Sequence, residues 1–222
     1  MKNIQVLLVF VLLITFSANI NAQMISESAK KKVTVGADVF TDIWMNVPSD
    51  ISTRTINQGA NVFIMYNLAL SEKVTTFAVG LGFSNHNMYG DFTIEDIKAD
   101  PIVFVPIPSN VVYQRSKMAY TSLDLPVELK FRFDNDVKIG LGFKLGWIID
   151  SKTKYVGDID GTEHKIKDIK IENMQTFNYG ATFRIGYKFF NLFANYQISK
   201  VFEDGKGPDI YPISVGITIT PF

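Results

Sequence analysis

This chain contains no cysteine and only 2 histidines among its 222 residues. Without cysteine it can form no disulfide bond, no thiolate metal site and no cysteine nucleophile. Neither sign of charge is in excess, since 22 basic residues balance 22 acidic ones. The overall charge therefore points neither to nucleic acid nor to a strongly cationic partner.

Long apolar runs are also missing beyond the N-terminal segment. No later stretch reaches the roughly 18 consecutive apolar residues that indicate a transmembrane helix. The first 23 residues, MKNIQVLLVFVLLITFSANINAQ, have the pattern of a secretory signal peptide, with a positive Lys2 and a short apolar core at residues 6–16. We expect cleavage after Ala22, and an uncleaved anchor helix is the alternative. An exported chain of this kind must use strands if it is to be held in a membrane.

The clearest pattern that is present lies in residues 123–149, LDLPVELKFRFDNDVKIGLGFKLGWII. Apolar side chains occupy alternate positions in both halves, and charged residues or glycine occupy most of the positions between. Because side chains on a strand alternate with period two, the segment predicts a long hairpin with one apolar face. Its halves of 11 and 13 residues exceed the usual strand of about 5–6 residues. They match the roughly 9–11 tilted residues that cross a bilayer, so the apolar face is expected to meet lipid.

The same alternation recurs along the chain and makes eight predicted strands, at residues 33–45, 62–70, 75–84, 123–133, 137–149, 177–187, 190–198 and 210–222. The connections alternate between long and short, and the long ones lie at residues 48–59, 85–117, 151–172 and 203–209. Outer-membrane barrels have short periplasmic turns and longer extracellular loops, and an even strand number leaves both termini in the periplasm. We therefore predict an all-β fold, an eight-stranded antiparallel up-and-down transmembrane β-barrel in a Gram-negative cell outer membrane.

The predicted domains follow from this strand assignment. They are a signal peptide at residues 1–22, a periplasmic lead-in at residues 23–32 and an outer-membrane barrel at residues 33–222. The 18 phenylalanines and 9 tyrosines suit lipid-facing strands with aromatic girdles.

The interior of an eight-stranded barrel is just wide enough for its side chains to fill. Nine charged residues are predicted to face inward: Asp38, Asp42, Asp124, Glu128, Lys130, Arg132, Lys138, Lys144 and Arg184. They should pair, because an isolated buried charge is very costly. The pattern favours a structural charge network that plugs the lumen, and a proton- or ion-conducting gate is the alternative. Pro126 is expected at a bulge or a locally unpaired position, or else at a functional opening.

Catalytic candidates are few. His86 lies at the start of a predicted outer loop and could be grouped with Ser84 and Asp91 as a serine–histidine–acid set. No GxSxG motif accompanies this group, and a merely solvated loop histidine is the favoured alternative. We predict no catalytic residue and no enzymatic activity.

Metal-binding candidates are equally weak. The segment GDIDGTEH at residues 157–164 resembles a loose calcium loop through Asp158, Asp160 and Glu163. It lacks the spacing of an EF-hand, so a solvated turn is favoured. We predict no metal site and no cofactor.

One apolar segment lies in a predicted outer loop, DPIVFVPIPS at residues 100–109. Its apolar residues are Ile102, Val103, Phe104, Val105 and Ile107. Exposed apolar clusters often mark interaction surfaces, so the segment is a candidate partner-binding loop. The alternative is that it folds over the mouth of the barrel or extends the neighbouring strands.

Three segments resemble a known family. LDLPVELKFRF at residues 123–133 resembles the LEIPLLLKY strand of PorT-like outer-membrane β-barrel proteins of Bacteroidetes. FRIGYKFFNLFANYQIS at residues 183–199 and YPISVGITITPF at residues 211–222 resemble the closing strands of that family. Phe222 departs from the pattern, because it is out of phase with the apolar positions of its strand.

The resemblance implies an outer-membrane location and insertion by the BAM machinery. The founding member is associated with type IX secretion, most members have no assigned activity, and the family supplies no site residues. The sequence therefore favours a non-enzymatic barrel that is structural or that binds a partner in the envelope, such as a secretion complex. The alternatives are an outer-membrane enzyme acting on lipid or peptide, a small-solute or ion pore, and a soluble lipocalin-like barrel.

Overall fold

The computed structural model describes residues 32–70, 75–133, 135–159 and 162–220. The described residues form the strands β1 (Val33–Met45), β2 (Gln58–Ala69), β3 (Thr75–Tyr89), β4 (Phe92–Ile94), β5 (Phe104–Pro106), β6 (Tyr113–Arg132), β7 (Val137–Ile159), β8 (Thr162–Ile169), β9 (Phe177–Tyr187), β10 (Phe190–Gln197) and β11 (Tyr211–Ile219). The predicted signal peptide, nearly all of the lead-in, the short turn at residues 71–73 and the terminal Phe222 lie outside the described residues.

Eight of these strands close into an antiparallel barrel in the order β1-β2-β3-β6-β7-β9-β10-β11. The last strand returns to the first, and β11 pairs with β1 from Ala37 opposite Ile219 to Met45 opposite Tyr211. Closure matters in lipid, because an open edge would leave backbone groups without hydrogen bonds. The predicted fold class is confirmed.

The two faces of the barrel have opposite chemistry. Outward side chains such as Leu141 and Trp147 are each 51% exposed, whereas the inward Asp42 is 0% exposed. A soluble ligand-binding barrel would place its apolar side chains inside, so the observed faces fit a barrel surrounded by lipid. In the described part of the chain, no helix has both the length and the apolar character that crossing a membrane requires.

Several strands are longer than the sequence predicted. Strand β6 has 20 residues and β7 has 23, so each continues about ten residues past the predicted apolar hairpin. The prediction of long loops is therefore wrong for about half of residues 85–117 and for most of residues 151–172. The first holds the end of β3, the β4–β5 hairpin and the start of β6. The second holds a β7–β8 hairpin.

The physical reason for this difference is that a strand beyond the membrane needs no apolar outward face. Segments such as SKTKY at residues 151–155 carry polar side chains on the outward side, and a search for apolar alternation misses them. A register shift at Thr121 and Ser122 also changes the phase of β7. Along β7, the even-numbered residues up to residue 148 face inward, and from residue 151 onward the odd-numbered residues face inward.

Pro126 lies at an interruption of the β3–β6 ladder. Pairing is regular up to Val79 opposite Val127 and resumes at Gly82 opposite Asp124, with the same register on both sides. Pro126 has a partner, Lys144, only on the β7 side. Of the predicted placements, the structure shows the locally unpaired one.

An apolar core lies at the long-strand end of the barrel, where the connections fold over the mouth. Its buried members are Trp44, Ile51, Met88, Phe92, Ile102, Phe104, Met118, Tyr120, Ile171, Val201, Phe202 and Ile210. We call this cluster the cap core. It separates the polar lumen below from the surface above.

Candidate functional site

Arg184 is the centre of the polar network in the lumen. Its Nη2 donates to Asp38 Oδ2 and its Nη1 to Glu128 Oε1, each at 2.9 Å. The Nε donates to Thr218 Oγ1 at 3.2 Å. Asp38 also accepts hydrogen bonds from Thr218 and from Asn61. One cation therefore joins β9 to carboxylates on β1 and β6, across the interior of the barrel.

Two aromatic rings enclose the same guanidinium. The Cζ atom of Arg184 lies 4.8 Å from the ring centroid of Phe63 and 4.8 Å from that of Phe193. Cation–π contacts of this kind are strongest where water is excluded. Glycine provides the space: a Cβ at Gly140 would come within 2.6 Å of Glu128 Oε1. Ion pairs and aromatic rings together fill this level of the lumen, and the absence of a side chain at Gly140 leaves room for them.

A second ion pair lies nearer the cap core. Lys144 Nζ lies 3.2 Å from Asp124 Oδ2. Ser122 donates to the other carboxylate oxygen at 2.7 Å, and Ser84 donates to the same oxygen as Lys144. Lys130 sits at the opposite end of the network, 3.9 Å from Glu128 and within 3.1 Å of Thr34 Oγ1.

His86 is buried in the lumen, and the prediction of a solvated loop histidine is wrong. Its Nδ1 lies 3.0 Å from Asp42 Oδ2, and its ring stacks on Tyr120 with centroids 4.9 Å apart. Its Nε2 is buried without a hydrogen-bond partner among the described residues. The signal was present in the sequence, because His86 continues the even, inward positions of β3 beyond the predicted end of that strand.

The serine–histidine–acid set does not form. Ser84 donates to Asp124 rather than to His86. Asp91 accepts a hydrogen bond from the backbone of Ser52 at the barrel mouth. The carboxylate that contacts His86 is Asp42, and the hydroxyl bound to it, Ser214, donates to its other oxygen at 2.7 Å.

Not all nine predicted lumen charges meet. The structure brings together Asp38, Glu128, Lys130 and Arg184, pairs Asp124 with Lys144, and sets Asp42 against His86. Arg132 is exposed at the short-turn rim. Lys138 Nζ donates to the backbone oxygen of Lys188 at that rim, 2.9 Å away. The aromatic partners Phe63 and Phe193 were not predicted as site residues, although both occupy inward positions of their strands.

Some residues of the candidate partner-binding loop are buried and others are exposed. Ile102 is 2% exposed and Phe104 is 6% exposed, and both belong to the cap core, so neither is available to a partner. Phe104 stacks on Phe92 with ring centroids 4.6 Å apart. Val103 is exposed, while Val105 and Ile107 are half-buried. The segment therefore largely folds over the barrel mouth.

Val105 and Ile107 line a cleft of about 530 Å³ between the β4–β5 hairpin and the extended strands β6, β7 and β8. Tyr155 and Asp168 lie on its other wall. Within the described part of the chain, no three histidine and carboxylate side chains meet in a way that could hold a metal ion. The proposed calcium loop falls at residues whose side chains lie outside the description.

Lys117, on the outward side of β6, has several cationic neighbours. Burial and the charges of Lys152, Arg115 and Lys154 lower the pKa of Lys117 to about 8. Its Nζ donates to Asn87 Oδ1 at 2.6 Å. Four cationic side chains therefore lie close together on this side of the sheet.

This chain is similar to two proteins of known structure. In structure, the chain resembles the attachment invasion locus protein Ail of Yersinia pestis, with 13% identity, a TM-score of 0.42 and coverage of 86% of this chain and 97% of that one. It also resembles the outer membrane protease OmpT of Escherichia coli, with 8% identity, a TM-score of 0.39 and coverage of 86% and 94%. No curated protein matches the chain in sequence.

A family model described as "Outer membrane protein beta-barrel domain" matches residues 12–200. This range includes seven of the eight barrel strands, from β1 to β10. The closed β-barrel of the structure agrees with that description. The chain belongs to the outer membrane protein β-barrel domain family.

Proposed function

We propose that this chain is a non-conducting and non-enzymatic outer-membrane barrel whose long-strand end serves as a binding platform outside the cell. The observation that carries the proposal is the position of Arg184, held between Asp38 and Glu128 in the middle of the lumen. A cation fixed by two carboxylates and two aromatic rings blocks the axis along which an ion would have to pass.

The plug extends beyond that one layer. Above Arg184 the ring of Phe40 contacts those of Phe193 and His86, with centroid distances of 5.9 and 5.1 Å. His86 stacks on Tyr120, whose hydroxyl donates to Gln197 at 3.0 Å. The cap core then covers the mouth. This continuous filling supports a closed lumen over the alternative of a solute or ion pore.

The absence of enzymatic activity is also part of the proposal. It is supported by the contacts that the candidate catalytic side chains make. His86 is buried and contacts the carboxylate of Asp42, and the hydroxyl of Ser84 donates to Asp124 instead of to His86. A hydrolytic nucleophile would need a base within hydrogen-bond reach and access for a substrate.

The orientation follows the general rule for such barrels, in which short turns face the periplasm and longer connections face outward. The platform would then be extracellular and both termini periplasmic. Insertion by the BAM machinery, kinship with PorT-like proteins and a partner in a secretion complex belong to the same proposal. Their support is the sequence resemblance of residues 123–133, 183–199 and 211–222.

Planar-bilayer recording tests the closed lumen. Folded protein inserted into a bilayer should give no stepwise current, whereas a known porin added to the same bilayer should. Reproducible open-channel steps from the folded barrel would refute the proposal.

Single-thiol labelling tests the orientation, because the chain has no cysteine of its own. Ser109→Cys at the long-strand end should react with a membrane-impermeant maleimide on intact cells. Asn135→Cys, in the short β6–β7 turn, should react only after the cells are opened. The reverse pattern would turn the platform toward the periplasm.

A further inference from the structure

The outward side of β6, β7 and β8 carries a block of positive charge. Lys117 on β6 is directly opposite Lys154 on β7, and Lys154 is opposite Lys167 on β8. The neighbouring rows place Arg115 and Lys165 on either side of Val156, and Lys152 between Ala119 and Ile169. We call these six cations the basic band: Arg115, Lys117, Lys152, Lys154, Lys165 and Lys167.

This arrangement is unfavourable for the isolated protein. Like charges directly opposite one another on a sheet destabilise it. Burial, and after it the positive charges of Lys152, Arg115 and Lys154, lower the pKa of Lys117. Lys152 has a carboxylate partner, Asp150, at 3.6 Å. Among the residues that the structure describes, no carboxylate forms an ion pair with Lys117, Lys154 or Lys167. A chain with no net charge has thus concentrated cations on one surface.

The basic band is continuous with the lipid-facing surface. Leu123 on β6 and Trp147 on β7 are opposite each other, exposed and apolar, and they mark the upper part of the apolar belt. The row of Lys152 lies four residues beyond Leu123 on the same outward side, and the row of Lys117 lies six residues beyond it. At about 3.3 Å per residue and a tilt of about 40°, these rows stand about 10 and 15 Å above Leu123.

Such heights correspond to the polar surface of a membrane rather than to its hydrocarbon core. Long, flexible lysine side chains can also reach down toward the interface. Clusters of several lysines and arginines next to a membrane-spanning segment are a known feature of recognition of anionic lipid headgroups. The position and the charge of the basic band therefore select the same class of ligand.

We propose that the basic band binds the phosphate groups of lipid headgroups in the leaflet that surrounds the long-strand end of the barrel. The assignment of that leaflet as the outer one rests on the orientation given under the proposed function. The bound phosphates neutralise Lys117, Lys154 and Lys167, for which the described residues provide no ion pair with a carboxylate, and they hold the β7–β8 hairpin upright against the membrane surface. Tyr89, with its ring 5.1 Å from Lys117 Nζ and 5.4 Å from Arg54 Cζ, adds an aromatic neighbour to this surface.

Spin-labelled lipids measure the proposed preference. Folded protein is reconstituted in phosphatidylcholine vesicles that contain traces of spin-labelled phosphatidic acid or spin-labelled phosphatidylcholine, and the motionally restricted fraction of each is compared. The wild type should prefer phosphatidic acid. The variant Lys117→Gln/Lys154→Gln/Lys167→Gln should lower that preference about fivefold or more, given the strength of cation–headgroup attraction.

A matched control removes the same charge at the same end of the barrel. Lys98→Gln/Lys200→Gln/Lys206→Gln lies in connections away from the basic band and should keep the preference. Folding of each variant is checked by the mobility shift between unboiled and boiled samples, and Lys154→Gln alone serves if the triple variant does not fold.

Two results would overturn the proposal. One is equal preference in the wild type and the band variant. The other is tight binding of soluble polyphosphate by the barrel in uncharged detergent without any lipid preference, which would assign the surface to a soluble polyanion. Because both leaflets of these vesicles have one composition, the result does not depend on orientation in the cell. A barrel that conducted ions would refute the closed lumen and leave this measurement unaffected.

Discussion

At the scale of the residue, Arg184 shows how this chain uses a buried charge. Its three polar contacts and two ring contacts satisfy a guanidinium in a place where water is scarce. A buried ion pair is not a large net source of stability, because desolvation offsets much of the attraction. Breaking one is costly, since the remaining charge is left without a partner. The network therefore fixes the arrangement of the strands more than it strengthens them.

Replacing Arg184 by methionine should therefore destabilise the folded barrel by about 3–5 kcal/mol, because Asp38 and Glu128 would remain buried and unpaired. Unfolding in urea, followed by tryptophan fluorescence in lipid vesicles, measures the change. Arg132→Met, at the exposed rim, is the control and should stay within about 0.5 kcal/mol of the wild type. Equal stability of the two variants would show that the lumen network is not closed around Arg184.

Lys117 makes the proposed headgroup binding sensitive to pH. Its pKa in the folded protein, about 8, lies below the usual 10.5. The side chain is therefore charged below pH 8 and loses its charge as the pH rises through that value. Preference for spin-labelled phosphatidylglycerol, whose phosphodiester keeps a single charge over this range, should be greatest below pH 8 and should fall toward pH 9. Lys117→Arg, which stays charged, should flatten this profile; an unchanged profile would exclude Lys117 as the titrating group.

At the scale of the element, the strands that cross the membrane could be predicted because lipid imposes an apolar outward face on each of them. The eight barrel strands were found in this way, and the inward positions of Asp38, Glu128 and Arg184 followed from the same alternation. The extended ends of β6 and β7 could not be found by it, because their outward side chains meet water or headgroups. His86 was misplaced for this reason, and the ring contacts of Arg184 depend on strand register, which alternation alone does not give.

The β7–β8 hairpin is an addition to the barrel rather than a part of its closure. Among the described strands, β8 pairs only with β7, whereas β7 also pairs with β6 and β9 in the barrel. Thr153 and Asp168 are directly opposite, so Asn-Gly in place of residues 154–167 should join them in a two-residue turn.

This shortened chain should still fold into a heat-modifiable barrel, and it should lose the preference for phosphatidic acid. Gel mobility and the spin-label measurement check the two parts separately. Failure to fold would show that the hairpin is required for closure. A preserved lipid preference would remove β8 and Lys154 from the site.

The cap core depends on aromatic side chains from the β4–β5 hairpin. Phe104→Ala should destabilise the packing of this hairpin by about 3–5 kcal/mol, because a buried ring is lost against Phe92 and Phe202. Limited trypsin digestion after Lys98 should become faster while the barrel keeps its heat modifiability. Val103→Ala, at the exposed neighbouring position, should leave digestion unchanged. Equal digestion of both variants would mean that the hairpin is not held by the cap core.

At the scale of the whole molecule, three zones follow one another along the barrel axis. A lumen filled by ion pairs and rings lies inside an apolar belt, the cap core covers one mouth, and a sheet with a basic outward side stands above the belt. Each zone depends on the closure of β11 onto β1, because that contact fixes which side chains face inward and at what height. The pairing of the first and last strands of the described barrel is therefore the contact to test most directly.

The most direct test is a cross-link between those strands, in the variant Val39→Cys/Ile217→Cys. Val39 and Ile217 are direct partners across the β1–β11 junction, within the spacing that a disulfide bridges. Val39→Cys/Ala60→Cys joins β1 to β2 and should cross-link whether or not the barrel closes. We predict that both variants form a bond and that the first then changes the mobility of the boiled, non-reduced protein. A cross-link in the β1–β2 variant alone would contradict the closed barrel.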